Sequence, residues 1–156
     1  MVADVAGAEK YTYSSLVSTL LRCEDKLSEF YNTLASQAER EDHRTHFTTL
    51  QQKCVERKNA MERIRRETIV ELALESISGI NLSSFLSGID RISQSTNKNY
   101  LEKAEAAERL TQEVYNQTSA KVASISAEMS DLLSRLARES DLHVEALKRW
   151  ASAHKT

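Results

Sequence analysis

Apolar residues recur along this chain at steps of three and four, the period of a helix face turned to a core. In the first such stretch they are Leu16, Val17, Leu20, Leu27, Tyr31 and Leu34. They predict a helix that opens near residues 10–14 and fades at residues 37–41, where the chain turns polar. A second helix is expected over residues 43–74, with Phe47, Leu50, Cys54, Arg57, Met61 and Ile64 inward. A third starts after residue 95 or 96 and runs to about 122, presenting Leu101, Ala104, Glu108, Thr111, Tyr115 and Thr118. The fourth runs from residues 124–126 to 153, on Met129, Leu133, Leu136, Ser140, His143, Leu147 and Trp150.

Glu24, Arg57, Glu108 and His143, the last beside Ser140, stand out among the polar residues in these stripes. Glu24 lies four after Leu20 and three before Leu27, so it shares their face. A carboxylate there is costly unless a cation or a hydrogen-bond donor meets it.

Residues 75–96 read differently. Ile77, Ile80, Leu82, Phe85, Leu86 and Ile89 are interrupted by serines and by Gly79 and Gly88. The segment is too long for a hairpin and long enough to cross the length of a helical bundle with its apolar side on the core. No stretch alternates apolar and polar residues with β-branched enrichment, so no strand is expected. Residues 1–9 are expected to form a loose tail, and residues 10–155 one domain.

The composition fits this helical reading and removes several function classes. The 156 residues contain no proline and three glycines, which favours long helices. A net charge of −2 leaves no footprint for nucleic acid. The basic run Arg63, Arg65 and Arg66 is flanked by Glu62 and Glu67, a solvated face of mixed charge. No stretch approaches the roughly 20 apolar residues of a membrane span, and the N-terminus carries no signal-peptide pattern. Cys23 and Cys54 lie far apart within helical patterns and are expected as reduced, buried thiols, consistent with a cytoplasmic setting. No P-loop, dinucleotide-binding glycine pattern, zinc-protease or zinc-ribbon spacing is present. His43, His46 and His154 fall near helix ends and are expected at the surface.

The first and third helices match at an offset of 84. Glu24, Glu29, Tyr31 and Asn32 correspond to Glu108, Glu113, Tyr115 and Asn116. The second and fourth match in apolar pattern at an offset of 86: Phe47, Leu50 and Met61 against Leu133, Leu136 and Leu147. The chain therefore reads as two similar helical hairpins joined by a long crossover.

On the Glu-to-Tyr spacing, the run from Leu133 to Ala137 and the His that follows, the chain resembles the ferritin-like superfamily, and within it the rubrerythrin-like group. The resemblance covers roughly residues 10–153. It implies an all-α antiparallel four-helix bundle with a long crossover between its second and third helices. It also implies a di-iron site built from one Glu on each of two helices and a Glu-x-x-His on each of the others. Glu24 and Glu108 then match the single glutamates, and His143 matches a His whose Glu partner is replaced by Ser140. In the second helix the apolar register puts Cys54 and Arg57 at the remaining Glu and His positions. A second register would put Glu56 and Asn59 there; burial of Phe47, Leu50 and Met61 favours the first.

Three readings of the inward carboxylates stay open. Tyr115 and Tyr31 satisfy them by hydrogen bonds; or Glu24, Glu108 and His143 hold a single iron, manganese or zinc ion; or Arg57 pairs with Glu24 and Glu108 internally. The set is incomplete for a di-iron centre. The function expected is that of a non-redox structural or interaction module without cofactor, acting as a homodimer through a helix face. The alternative is a metalloprotein of iron handling or oxidative stress.

Overall fold

The computed structural model describes residues 9–154, the side chain of His154 excepted. The tail expected over residues 1–9 lies outside that range except for Glu9. In chain order the elements are strand β1 (Glu9–Thr12), helix α1 (Tyr13–Gln37), helix α2 (Glu41–Glu67), the short helix α3 (Val70–Ala73) and strand β2 (Ser76–Ile80). Helices α4 (Leu82–Gln94), α5 (Tyr100–Val122) and α6 (Ala127–His154) follow. Among the described residues the protein is mostly helical, with one small sheet.

Local chemistry sets the boundaries. Thr12 and Ser15 form a reciprocal capping box that starts α1, and Asn99 and Glu102 form another that starts α5. Glu41 and Asp42 sit in the first turn of α2, and Arg65 and Arg66 in its last, matching the helix dipole at both ends. That helix ends at Glu67, short of residue 74. Thr68, Ile69 and Val70 are β-branched in succession, and such side chains crowd the preceding helical turn. Thr68 takes an extended backbone, and its hydroxyl donates to the Ile64 carbonyl at 2.9 Å.

The absence of strands expected from the sequence is corrected here. β1 and β2 pair antiparallel, Lys10 opposite Ser78 and Glu9 opposite Ile80. The step skips Gly79, which bulges out of the ladder at φ +86°. The strands are only four and five residues long, so alternation could not declare itself in the sequence. Tyr11, Ile77 and Ile80 are their buried positions, and the Tyr11 hydroxyl accepts from the Leu82 amide at 3.2 Å.

The contacts give the direction of each long helix. Lys58 meets Asp25 and Arg65 meets Ser18, so α1 and α2 run antiparallel. Ser119 on α5 bonds Ser130 and Ser134 on α6 across a short turn. Tyr31 meets Glu108 and Tyr115 meets Glu24, so α1 and α5 are antiparallel too. Trp150 packs on His43 while Glu128 bonds Arg63, which opposes α6 to α2. With these directions α2 and α5 descend together, and residues 68–99 must carry the chain back along the molecule. β2 turns it against β1, and α4 then climbs beside α1, tied by Lys26 to Asp90 at 2.9 Å. Gly88 lets α4 lie close to α5, because a Cβ there would stand 2.7 Å from Leu110.

One connected core results, from Tyr13, Leu16 and Leu20 through Phe47, Met61 and Phe85 to Leu133 and Leu147. In α2 the buried positions are those of the apolar register, whereas Glu56 and Asn59 are exposed.

Candidate functional site

Glu24, Arg57, Glu108 and His143 come together within this core, the last of them partly exposed. Glu24 is 0% exposed and Glu108 3%. Each is met by the tyrosine of the other repeat. The Tyr115 hydroxyl on α5 donates to Glu24 Oε2 on α1, and the Tyr31 hydroxyl on α1 donates to Glu108 Oε1 on α5 at 2.5 Å. Burial first, and then the adjacent carboxylates, raise both phenol pKa values far above the ordinary range. The tyrosines therefore stay protonated and act as donors.

The second partner of each carboxylate comes from the other helix of its own hairpin. Arg57 Nη1 on α2 lies 3.8 Å from Glu24 Oε1, and His143 Nδ1 on α6 lies 3.4 Å from Glu108 Oε1. Cys54, one helical turn before Arg57, faces Glu24; Ser140, one turn before His143, faces Glu108. The offset of 86 relates Cys54 to Ser140 and Arg57 to His143. The centre thus consists of two equivalent quartets: Glu24, Tyr115, Cys54 and Arg57, and Glu108, Tyr31, Ser140 and His143.

The quartets differ in electrostatics. Burial pushes the Glu24 pKa up, and the opposing pull of Arg57, Tyr115 and Cys54 does not overcome it. Burial acts on Glu108 in the same sense, but His143, Tyr31 and Ser140 outweigh it and hold its pKa below the usual carboxylate range. Two local causes explain the split. A thiol is a weaker donor than a hydroxyl. The Arg57–Glu24 separation exceeds hydrogen-bond length, and Glu24 Oε1 has no hydrogen-bond partner among the described residues. Burial opposes the charge on Arg57 as well, yet Glu24 holds its pKa above the ordinary value, so the guanidinium is a fixed cation. Both cysteines are free, and burial pushes their thiols well up, which leaves them unreactive.

Arg57 reaches in from a cleft between α2 and α6 of about 160 Å³. Its Nη2 also stands 3.7 Å from Glu139 Oε2, at the mouth of that cleft. One end of the centre continues into an aromatic group that sequence reasoning missed. His43, expected at the surface, is 2% exposed; its Nδ1 sits 2.9 Å from the Tyr100 hydroxyl, and its ring lies 4.5 Å from Trp150. His43 stands four before Phe47, and that continuation of the stripe was the available signal. His46 is half-buried against His143, ring centroids 5.6 Å apart, and burial with His143 beside it pushes its pKa down to about 4. The side chain of His154 lies outside the described residues.

Of the proposed metal ligands, Glu108 and His143 come together, while Glu24 faces Arg57 and Tyr115. Among the described residues no group of three or more His, Cys, Asp or Glu side chains is placed to hold a metal ion. Among them too, no helix is long and apolar enough to cross a membrane. No protein-family model matches the chain, and no curated protein matches it either.

Proposed function

We propose that this chain is a ferritin-like four-helix bundle in which an internal ion pair and two crossed tyrosine–carboxylate bonds occupy the place of the metal site, and that it works as a non-redox structural or interaction module. The observation that carries this reading is the Arg57 guanidinium, 3.8 Å from Glu24 and held charged. Two buried carboxylates at the centre of a helical protein need positive charge. Here it comes from the chain.

The donor set does not suit a pair of metal ions. Cys54 and Ser140 stand where the resemblance asks for carboxylates, so only Glu24 and Glu108 remain to bridge and neutralise two cations. Arg57 would add a third positive charge against them. Tyr31 and Tyr115, kept protonated, already engage one oxygen of each carboxylate.

One observation favours a second reading, a single iron, manganese or zinc ion. His143 Nδ1 and His46 Nε2 have no hydrogen-bond partner among the described residues, and His143 lies 3.4 Å from Glu108. Imidazole and carboxylate are ordinary ligands for these ions.

Metal content separates the readings. The protein is purified without chelator, exposed to Fe(II), Mn(II) or Zn(II), desalted and assayed by mass spectrometry beside Arg57→Ala. The expected result is no stoichiometric metal in the parent. The variant should lose about 3 kcal/mol of stability, as when one member of a buried pair is removed. Two ions per chain would overturn the proposal; one ion per chain, lost in His143→Ala, would establish the second reading instead.

A further inference from the structure

We infer that the cleft between α2 and α6 is a binding site for a small monocarboxylate, with Arg57 as its anchor. The inference rests on the preceding reading only in taking Arg57 as the fixed cation of the centre.

The first ground is the state of Arg57 itself. Its side chain is only 9% exposed, and it lines the cleft. Its two carboxylate neighbours stand at 3.8 and 3.7 Å, beyond hydrogen-bond length. Among the described residues no group accepts a hydrogen bond from it. A guanidinium carries five N–H donors in a planar fork whose spacing matches the two oxygens of a carboxylate. These donors face the cleft, which leads an incoming acceptor to them.

The second ground is the lining. Lys53 and Arg135 join Arg57 as cations, and Glu56 and Glu139 oppose them, a net charge of +1 that suits a monoanion. Leu132 and Leu136 supply apolar wall, against which a short hydrocarbon chain can lie. The volume, about 160 Å³, is below the range of sites for drug-sized molecules and excludes nucleotides. Arg57 and one rim cation grip the carboxylate head, and the tail rests on the leucines. Glu139, more than a third exposed, is the movable member of the lining. The incoming carboxylate takes the place beside Nη2 that Glu139 now holds loosely, so Glu139 competes with the ligand.

The test uses sodium butyrate as probe, in the presence of a metal chelator, so that the result stands whether or not the chain takes up metal. Binding is followed by the arginine side-chain resonances of ¹⁵N-labelled protein and by the thermal midpoint. Butyrate should shift one arginine Nε–H resonance, absent from Arg57→Lys, along a saturable curve. Arg57→Lys, which keeps the charge and loses the fork, should bind about tenfold more weakly or worse. Glu139→Gln should bind several-fold more tightly. Phosphate and butylammonium at equal concentration should bind far more weakly. Absence of a saturable shift in the parent, or affinity indifferent to both Arg57→Lys and Glu139→Gln, would overturn the assignment. So would equal binding of phosphate, which would make the cleft a general anion patch.

Discussion

Two glutamates with the same local sequence context have pKa values shifted in opposite directions because their donors differ. Glu24 has a thiol and a guanidinium at 3.8 Å; Glu108 has a hydroxyl and an imidazole at 3.4 Å. The tyrosines are therefore unequal in value. Tyr115→Phe removes the hydroxyl that donates to Glu24, leaving it the weaker Cys54 thiol, and should cost about 2–3 kcal/mol. Tyr31→Phe leaves Glu108 its His143 and Ser140 and should cost about 1 kcal/mol. Urea denaturation of the two variants checks the order as well as the size. The inward Glu24, Glu108 and Arg57 were legible one residue at a time, since period alone places them. Tyr115, Tyr31 and Arg57 were also legible as candidate partners; which of them meets which glutamate was not, because that depends on how two helices 84 residues apart are stacked.

At the scale of elements, the helices follow from caps and apolar spacing, and the sheet does not. The two strands exist because β1 and β2 lie side by side once α1 and α4 are packed. Gly79 makes the bulge between them, at a positive φ that a residue with a Cβ adopts at a cost. Gly79→Ala should lose about 1 kcal/mol for the backbone, with the Lys121 ammonium, 2.9 Å from the new methyl, free to swing away. Asn99→Ala should lose about 1 kcal/mol by opening the capping box of α5. Thermal unfolding by circular dichroism measures both, and the two losses should add in the double variant, since the two sites lie at opposite ends of α5 and share no partner residue. Another boundary hidden from the sequence is the end of α4. Lys103 is buried, with its ammonium on the Ser93 carbonyl at 3.0 Å, where it meets the negative end of that helix. A lysine in the first turn of a predicted helix gives no hint of such a role.

For the molecule as a whole, the centre makes stability depend on pH in a direction that can be worked out. The pKa of Glu108 is lowered on folding, so its contribution is fully present above its ordinary value of 4.5 and is lost as pH falls through the lower folded value. Glu24 is the reverse: its raised pKa favours the folded state at low pH, and that advantage disappears as pH rises through the folded value. Glu108→Gln should therefore be less stable than the parent at neutral pH, and the gap should narrow on acidification below 4.5. Denaturant midpoints of parent and variant across that range measure it. A gap that is constant with pH would show that Glu108 acts through packing alone.

The sequence by itself determined the long helices, the inward register of α2 and the presence of charge in the core. Each follows from local spacing and from the large free energy of burying apolar side chains. The end of α2 at Glu67, the two strands, the burial of His43 and the cleft beside Arg57 came only with the tertiary structure. Those features are set by contacts between residues far apart in the chain: Glu9 with Ile80, His43 with Tyr100 and Trp150, Arg57 with Glu139. Periodicity reports which side of a helix is buried. It carries no information on what stands opposite, and at this centre the opposite side decides which way each carboxylate pKa moves.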